Sequence, residues 1–181
     1  LELINEVLDL AKIEAGKADL SIEDIRVAKV VDECVSMVVA MAERNDITIN
    51  GPAPGLDDYM VRADSMRLKQ VLLNLLSNAV KYNRQGGRVT ISHSVTPGGS
   101  LRISIKDTGA GIAADKQDQL FQPFSRLGAE TTEIEGTGIG LTVTRQLMKL
   151  MGGRVGFDSL QGHGSTFWVE LPLSGKSPEA A

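Results

Sequence analysis

The chain has 181 residues and a mass of 19.4 kDa, with 42% hydrophobic residues, a formal net charge of -4 and a pI near 5.2. That is enough to bury one full core, and the absence of any cluster of Lys and Arg argues against nucleic acid or an anionic lipid surface as partner. One cysteine, Cys34, excludes an internal disulfide framework, and no run of 18 apolar residues or secretory signal is found, so a cytoplasmic setting without direct membrane contact is expected. A parent protein anchored in a membrane remains compatible with that.

The chain opens inside a helical pattern, LELINEVLDLAKIEAGK, with Leu1, Ile4, Leu8, Ala11 and Ala15 near one stripe and no capping signal before them; it reads as the end of a longer helix. Gly16 supplies a stop, and residues 18–29 read as a short extended connection. The spacing of Val30, Val31, Cys34, Val38, Met41 and Ala42 predicts a helix over about 28–44, with Cys34 packed in a core. Short strands follow at ITI and around Met60, separated by a loop rich in Gly, Pro and Asp.

Asp64 is a candidate N-cap for the run LKQVLLNLLSNAVKYN, in which Leu72, Leu75, Leu76 and Ala79 recur at i, i+3, i+4 and i+7. Asn74, Asn78 and Lys81 therefore share another face, with Tyr82 directly after. An amide carbonyl is a neutral, hard oxygen suited to Mg²⁺, and a neighbouring ammonium balances phosphate charge. The same spacing also fits a solvated face that merely tolerates two asparagines.

RVTISHSV and LRISIKD alternate apolar and polar residues and form a hairpin through TPGGS. The stretch 107–140 has three glycine clusters and one short helical pattern over about 115–121, as a functional loop would. A helix over 139–153 closes on a Gly pair. Strands RVGFDS and STFWVELP follow, and residues 174–181 read as a disordered tail. Adjacent hairpins rather than regular βαβ units predict an α/β chain: a two-layer α/β sandwich, its mixed and mostly antiparallel sheet covered on one face by helices.

In DTGAGI, Asp107 ends a strand and Gly109 and Gly111 follow, with Ile112 closing the motif. A carboxylate there can accept from an exocyclic amine such as that of adenine, while an ordinary turn explains the glycines equally well. A dinucleotide fingerprint is rejected because no ordered βαβ unit surrounds it. EGTGIGLTV places Gly136, Thr137, Gly138, Gly140 and Leu141 at a helix start, a phosphate cradle or a plain flexible loop. Phe121 and Phe124 either fasten a lid or anchor the core, leaving Arg126 to reach a phosphate. Thr166, after Gly162 and Gly164, can meet a base or a water. His93 and His163 have no partners at metal spacing, and LSGKS lacks the rest of a phosphate loop.

Taken in order, the asparagine helix, Asp-x-Gly-x-Gly, Phe-x-x-Phe, Gly-x-Gly-x-Gly and the final Gly-x-Gly-Ser-Thr-Phe resemble the ATP-binding catalytic domain of bacterial sensor histidine kinases, of the GHKL or Bergerat-fold superfamily. The resemblance covers roughly 27–173. LINEVLDLAKIEAGK resembles the end of the dimerisation and phosphoacceptor helix that precedes that domain. The implied organisation is residues 1–17 as helix end, 18–27 as linker, 28–173 as catalytic domain and 174–181 as tail.

By position, the resemblance implies that Asn78 ligands Mg²⁺, Asn74 supports the metal and phosphate shell, Lys81 contacts phosphate and Tyr82 lies beside adenine or ribose. Asp107 would receive the adenine amine with Thr166 beside it, a lid over 109–138 would close, and Gly136, Gly138, Gly140 and Leu141 would meet phosphates. Gyrase, Hsp90 and MutL type ATPases usually keep a carboxylate where Asn74 stands, and an amide cannot take a proton from water. Transfer of the γ-phosphoryl group of ATP to a histidine of the protein's own dimerisation domain, in a homodimer, and thence to an aspartate of a response regulator receiver domain is therefore the implied function. The phosphoacceptor histidine is not within this chain, which should bind ATP without phosphorylating itself. An ATP hydrolase of the same superfamily and a non-catalytic pseudokinase docking module are the alternatives.

Overall fold

A computed structural model describes residues 2–15, 19–125 and 136–176. Its architecture is mixed α/β. Helix α1 (Glu2–Glu14) is followed by β1 (Glu23–Arg26), α2 (Val27–Arg44) and β2 (Thr48–Asn50); a 3₁₀ turn (Leu56–Asp58) then leads into β3 (Tyr59–Ala63). Next come α3 (Ser65–Lys81), β4 (Arg88–Val95), β5 (Ser100–Asp107), the single turn α4 (Ala114–Gln117), α5 (Gly140–Leu150), β6 (Arg154–Leu160) and β7 (Gly164–Lys176).

The seven strands form one open sheet in the order β1-β3-β7-β5-β4-β2, with β6 also paired to β7. Among the described strands only β2 with β4 pairs parallel. Strand β7 organises the sheet: β5 lies along one edge, while β6 and then β3 share the other. Along β5 the residues Leu101, Ile103, Ile105 and Asp107 are buried, whereas Arg102, Ser104 and Lys106 are not, so one face is covered and the other open. The buried stripes of α2, α3 and α5 lie on the covered face and share one core with Val61, Val89, Ile91, Val169 and Leu171.

Helix α3 starts where its cap predicts. Asp64 Oδ1 accepts the Arg67 N–H at 2.9 Å, and its Oδ2 accepts Ser21 N–H at 2.9 Å, so one carboxylate both caps the helix and ties down the segment before β1. Cys34 is buried among the core residues, where desolvation pushes its thiol up to about 11. Helix α1 packs against α5, with Ile13 in the core and Leu10 against it.

Three boundaries differ from expectation. Part of the expected linker is strand β1, paired antiparallel with β3 from Glu23↔Ala63 to Arg26↔Met60; its four residues carry one apolar side chain, and the backbone pairing decides. The expected tail begins inside β7, because Tyr59↔Lys176 and Met60↔Gly175 give Gly175 and Lys176 a partner strand; residues 177–181 lie outside the described residues. The helix expected over 115–121 is only α4, Ala114–Gln117, with turns following.

Candidate functional site

A cavity of about 920 Å³ opens between α3, the start of α5, the loop after β5 and the β6–β7 turn. The buried stripe of α3, Leu68, Val71, Leu72, Leu75, Leu76, Ala79 and Val80, turns Asn74, Asn78 and Lys81 toward this cavity, and Tyr82 completes that wall. Asp107, Gly111 and Ile112 form a second wall, and Gly136, Thr137, Gly138, Gly140 and Leu141 a third. Residues from three segments far apart in sequence thus converge on one space.

Asp107 is 5% exposed. Burial pushes its carboxyl up, and the N–H groups of Gly109 and Ser165, donating to Oδ1 at 2.8 and 3.2 Å, pull it back down. Both described bonds fall on one oxygen, which leaves Oδ2 able to accept from a ligand. Gly109 serves through that N–H and does not itself line the cavity.

Gly111 has φ +66°, and a Cβ there would stand 2.1 Å from the Leu160 carbonyl oxygen. Only glycine lets this loop lie against the β6–β7 turn, where Gly162 N–H also donates to the Ala110 carbonyl at 2.6 Å. Gln117 Nε2 donates to the Ile112 and Ser159 carbonyls at 3.0 and 3.2 Å and fastens α4 to the end of β6.

At the other end, no side chain among the described residues caps α5, whose first turn, with the positive end of its dipole, borders the cavity at Gly140 and Leu141. A Cβ on Gly140 would stand 2.4 Å from Asn74 Oδ1, which brings α3 and α5 into close approach here. Asn74 Nδ2 donates to Thr144 Oγ1 at 2.8 Å. The Asn78 side chain lines the cavity and makes no hydrogen bond among the described residues. No cluster of three or more His, Cys, Asp or Glu suited to a metal is found among the described residues. A cation here would rest on amide oxygens and on its ligand, as Mg²⁺ with a polyphosphate does.

Two expected residues need correction or fall outside. Thr166 does not line this cavity; it pairs with Lys106 and Asp158, and Ser165 occupies the place beside Asp107. Side chains alternate along a strand, so a shift of one residue moves the hydroxyl to the opposite face. Arg126 lies outside the described residues. Of the phenylalanines, Phe121 packs on Phe157 at 6.0 Å with Arg145 over its ring, while Phe124 is 64% exposed at φ 63°, its N–H donating to Gly138. His93 packs on Tyr59 and His163 sits in the β6–β7 turn, both away from the cavity.

The cavity also includes residues not anticipated: Gln70, Leu73 and Ser77 on α3, Thr144 on α5, and Gln161 and Ser165 near the final hairpin. Helical spacing from Asn74 points directly to Gln70 and Ser77, at i-4 and i+3. Thr144 and Ser165 depend on contacts 70 and 58 residues distant in sequence and carry no local signal.

Residues 63–175 match the family model described as histidine kinase-, DNA gyrase B- and HSP90-like ATPase. A sensor-like histidine kinase of Rhizobium meliloti is 36% identical over 173 residues, covering 95% of this chain and 33% of that protein. The virulence sensor protein BvgS of Bordetella bronchiseptica is 38% identical over 181 residues, covering 96% of this chain and 14% of the relative. The chain thus spans a third or less of these relatives. Among solved structures, full-length ShkA in complex with AMPPNP superposes with a TM-score of 0.80 at 30% identity, covering 97% of this chain and 36% of that one.

Proposed function

Since the chain belongs to the histidine kinase-, DNA gyrase B- and HSP90-like ATPase family and is homologous to sensor histidine kinase catalytic domains, we propose that it binds ATP with Mg²⁺ and presents the γ-phosphoryl group to a histidine of its own dimerisation domain. The observation that carries this reading is one cavity that has a half-free buried carboxylate at one wall and, at another, a helix start without a cap among the described residues beside two asparagines. Asp107 Oδ2 accepts the exocyclic amine of adenine, beside Ser165. Tyr82 flanks base or ribose. The first-turn N–H groups of α5, with Gly136, Gly138 and Leu141, receive phosphate oxygens, and Lys81 offsets their charge.

Asn78 would hold Mg²⁺ through its amide oxygen with Asn74 supporting it, and the ion when bound neutralises charge on the transferring group. The chain's own work is positioning: α3 and α5 fix the amides and the cradle, and the Asp107 wall fixes the base. An imidazole nitrogen of the acceptor attacks the γ-phosphorus and ADP leaves; a receiver-domain aspartate of a response regulator then takes the phosphoryl group. We read residues 1–17 as the end of the dimerisation helix of a homodimer, 18–27 as a connection containing β1, and 28–173, with the β7 residues that follow as far as Lys176, as the cytoplasmic catalytic domain.

Hydrolysis is the competing chemistry. Asp107 is the only carboxylate among the described residues lining the cavity; one of its oxygens holds two backbone N–H groups and the other is assigned here to the base, which favours transfer over activation of water. Incubating γ-labelled ATP with a longer form carrying the dimerisation helices should give acid-labile, base-stable label, with none on the chain alone. Steady phosphate release by the chain alone, abolished by Asn74→Ala, would instead establish a hydrolase.

A further inference from the structure

We infer that Thr144 is a positioning residue that locks the amide of Asn74 with its oxygen facing the phosphate cradle, an inference that rests on the Mg·ATP reading above. Thr144 is 1% exposed and lies one helical turn into α5, on the side turned to α3. Its Oγ1 accepts Asn74 Nδ2 at 2.8 Å. An asparagine amide has two nearly isosteric orientations that exchange a double donor for an acceptor. With Nδ2 held by Thr144, Oδ1 turns toward Gly140 at the start of α5 and takes no hydrogen bond among the described residues. A flipped amide would present N–H groups there, able to touch a phosphate oxygen but unable to accept from a cation or its waters. Gly140 keeps that orientation possible, because any Cβ would occupy the space of Oδ1. With the hydroxyl at 144 accepting from Nδ2, the amide offers metal support rather than direct phosphate donation.

A contact that merely staples α3 to α5 would affect all nucleotide binding alike, whereas an orienting contact acts on the metal-dependent part. ATP binding to the chain is therefore measured by calorimetry with Mg²⁺ and with EDTA for wild type, Thr144→Val, Thr144→Ser, Asn74→Ala and the Thr144→Val/Asn74→Ala double variant. Removing an outer partner of a metal-supporting group should weaken affinity in Mg²⁺ about tenfold in Thr144→Val, with a change within about twofold in EDTA. Thr144→Ser should retain wild-type values, and the double variant should lose no more than Asn74→Ala. Equal losses in Mg²⁺ and EDTA, or losses that multiply in the double variant, would overturn the inference while leaving the nucleotide reading intact. Failure of the wild type to bind ATP at all would overturn both. Nuclear magnetic resonance of the nucleotide-free wild type gives a check independent of how the variants fold: the Asn74 side-chain amide protons should exchange more slowly than those of Asn78, and equal exchange would contradict the lock.

Discussion

Ser165 N–H donates to Asp107 Oδ1 at 3.2 Å, joining the end of β5 to the start of β7 across 58 residues. With Gly109 N–H on the same oxygen, the backbone orients the carboxylate and leaves its second oxygen for the ligand. Asp107→Asn should weaken ATP affinity by about ten- to a hundredfold, the worth of a hydrogen bond to a charged acceptor. Burial raises the carboxyl's folded pKa, so the folded state holds its proton at higher pH than the unfolded state, and stability falls as pH rises between the two values. Asp107→Asn should therefore melt higher than wild type at pH 7.5, with the advantage fading toward pH 4. Melts at both pH values, paired with calorimetry, separate the two effects; a variant less stable at pH 7.5 would contradict them.

Gly140→Ala sets helix propensity against the site. Alanine favours a helix by about 1 kcal/mol over glycine, which alone predicts stabilisation. The added Cβ would instead meet Asn74 Oδ1 at 2.4 Å, so Asn74 must move. ATP affinity in Mg²⁺ should fall by about tenfold or more, as for a displaced metal-supporting group. Wild-type affinity in this variant would show that Asn74 does not matter.

Adjacent hydroxyls at 165 and 166 test the register of β7. Thr166→Val should bind ATP within about twofold of wild type, since a surface change off the site has little effect. Ser165→Ala removes the 2.8 Å contact with Ser159, whose Oγ also accepts the Ile112 N–H, and should weaken binding several-fold. The reverse ranking in a nucleotide titration would place Thr166 at the base.

Glu170 gives the control on the open face. It is 4% exposed, with Oε1 accepting Arg102 Nε and a terminal guanidinium nitrogen at 2.8 and 2.6 Å, and Oε2 3.2 Å from Arg154. Arg102 in turn lies over the Trp168 ring at 4.1 Å. Both arginines reach solvent, so Glu170→Gln should cost about 2 kcal/mol, less than a fully buried pair, or roughly 4–8 °C in Tm. ATP affinity should be unchanged. Loss of binding without loss of stability would contradict the separation of the two faces.

How far the sequence carried the fold and site follows from which contacts are local. The apolar spacing in α3, the Asp64 cap and the β4–β5 hairpin are written in neighbouring residues, and all three stand where expected. Asn74, Asn78, Lys81, Asp107 and the glycines of α5's approach also reach one cavity. Strand β1 and the end of β7 carry little local signal, because Glu23, Asp24 and Arg26 surround a single isoleucine and Gly175 has no side chain, and both segments owe their conformation to β3. The sequence points to Thr166 where the structure has Ser165, because either hydroxyl suits the chemistry and only strand parity, fixed by pairing with β5 and β6, decides between them. Thr144 could not be found without the α3–α5 contact that gives it a partner.

Calorimetric titration of the chain with ATP, in Mg²⁺ and in EDTA, decides whether this cavity is a Mg·ATP site. Saturable binding of one nucleotide is expected, with a Kd between about 1 μM and 1 mM, roughly -8 to -4 kcal/mol, weakened in EDTA and in Asn78→Ala. No heat up to millimolar ATP, or binding indifferent to both Mg²⁺ and Asn78, would contradict it.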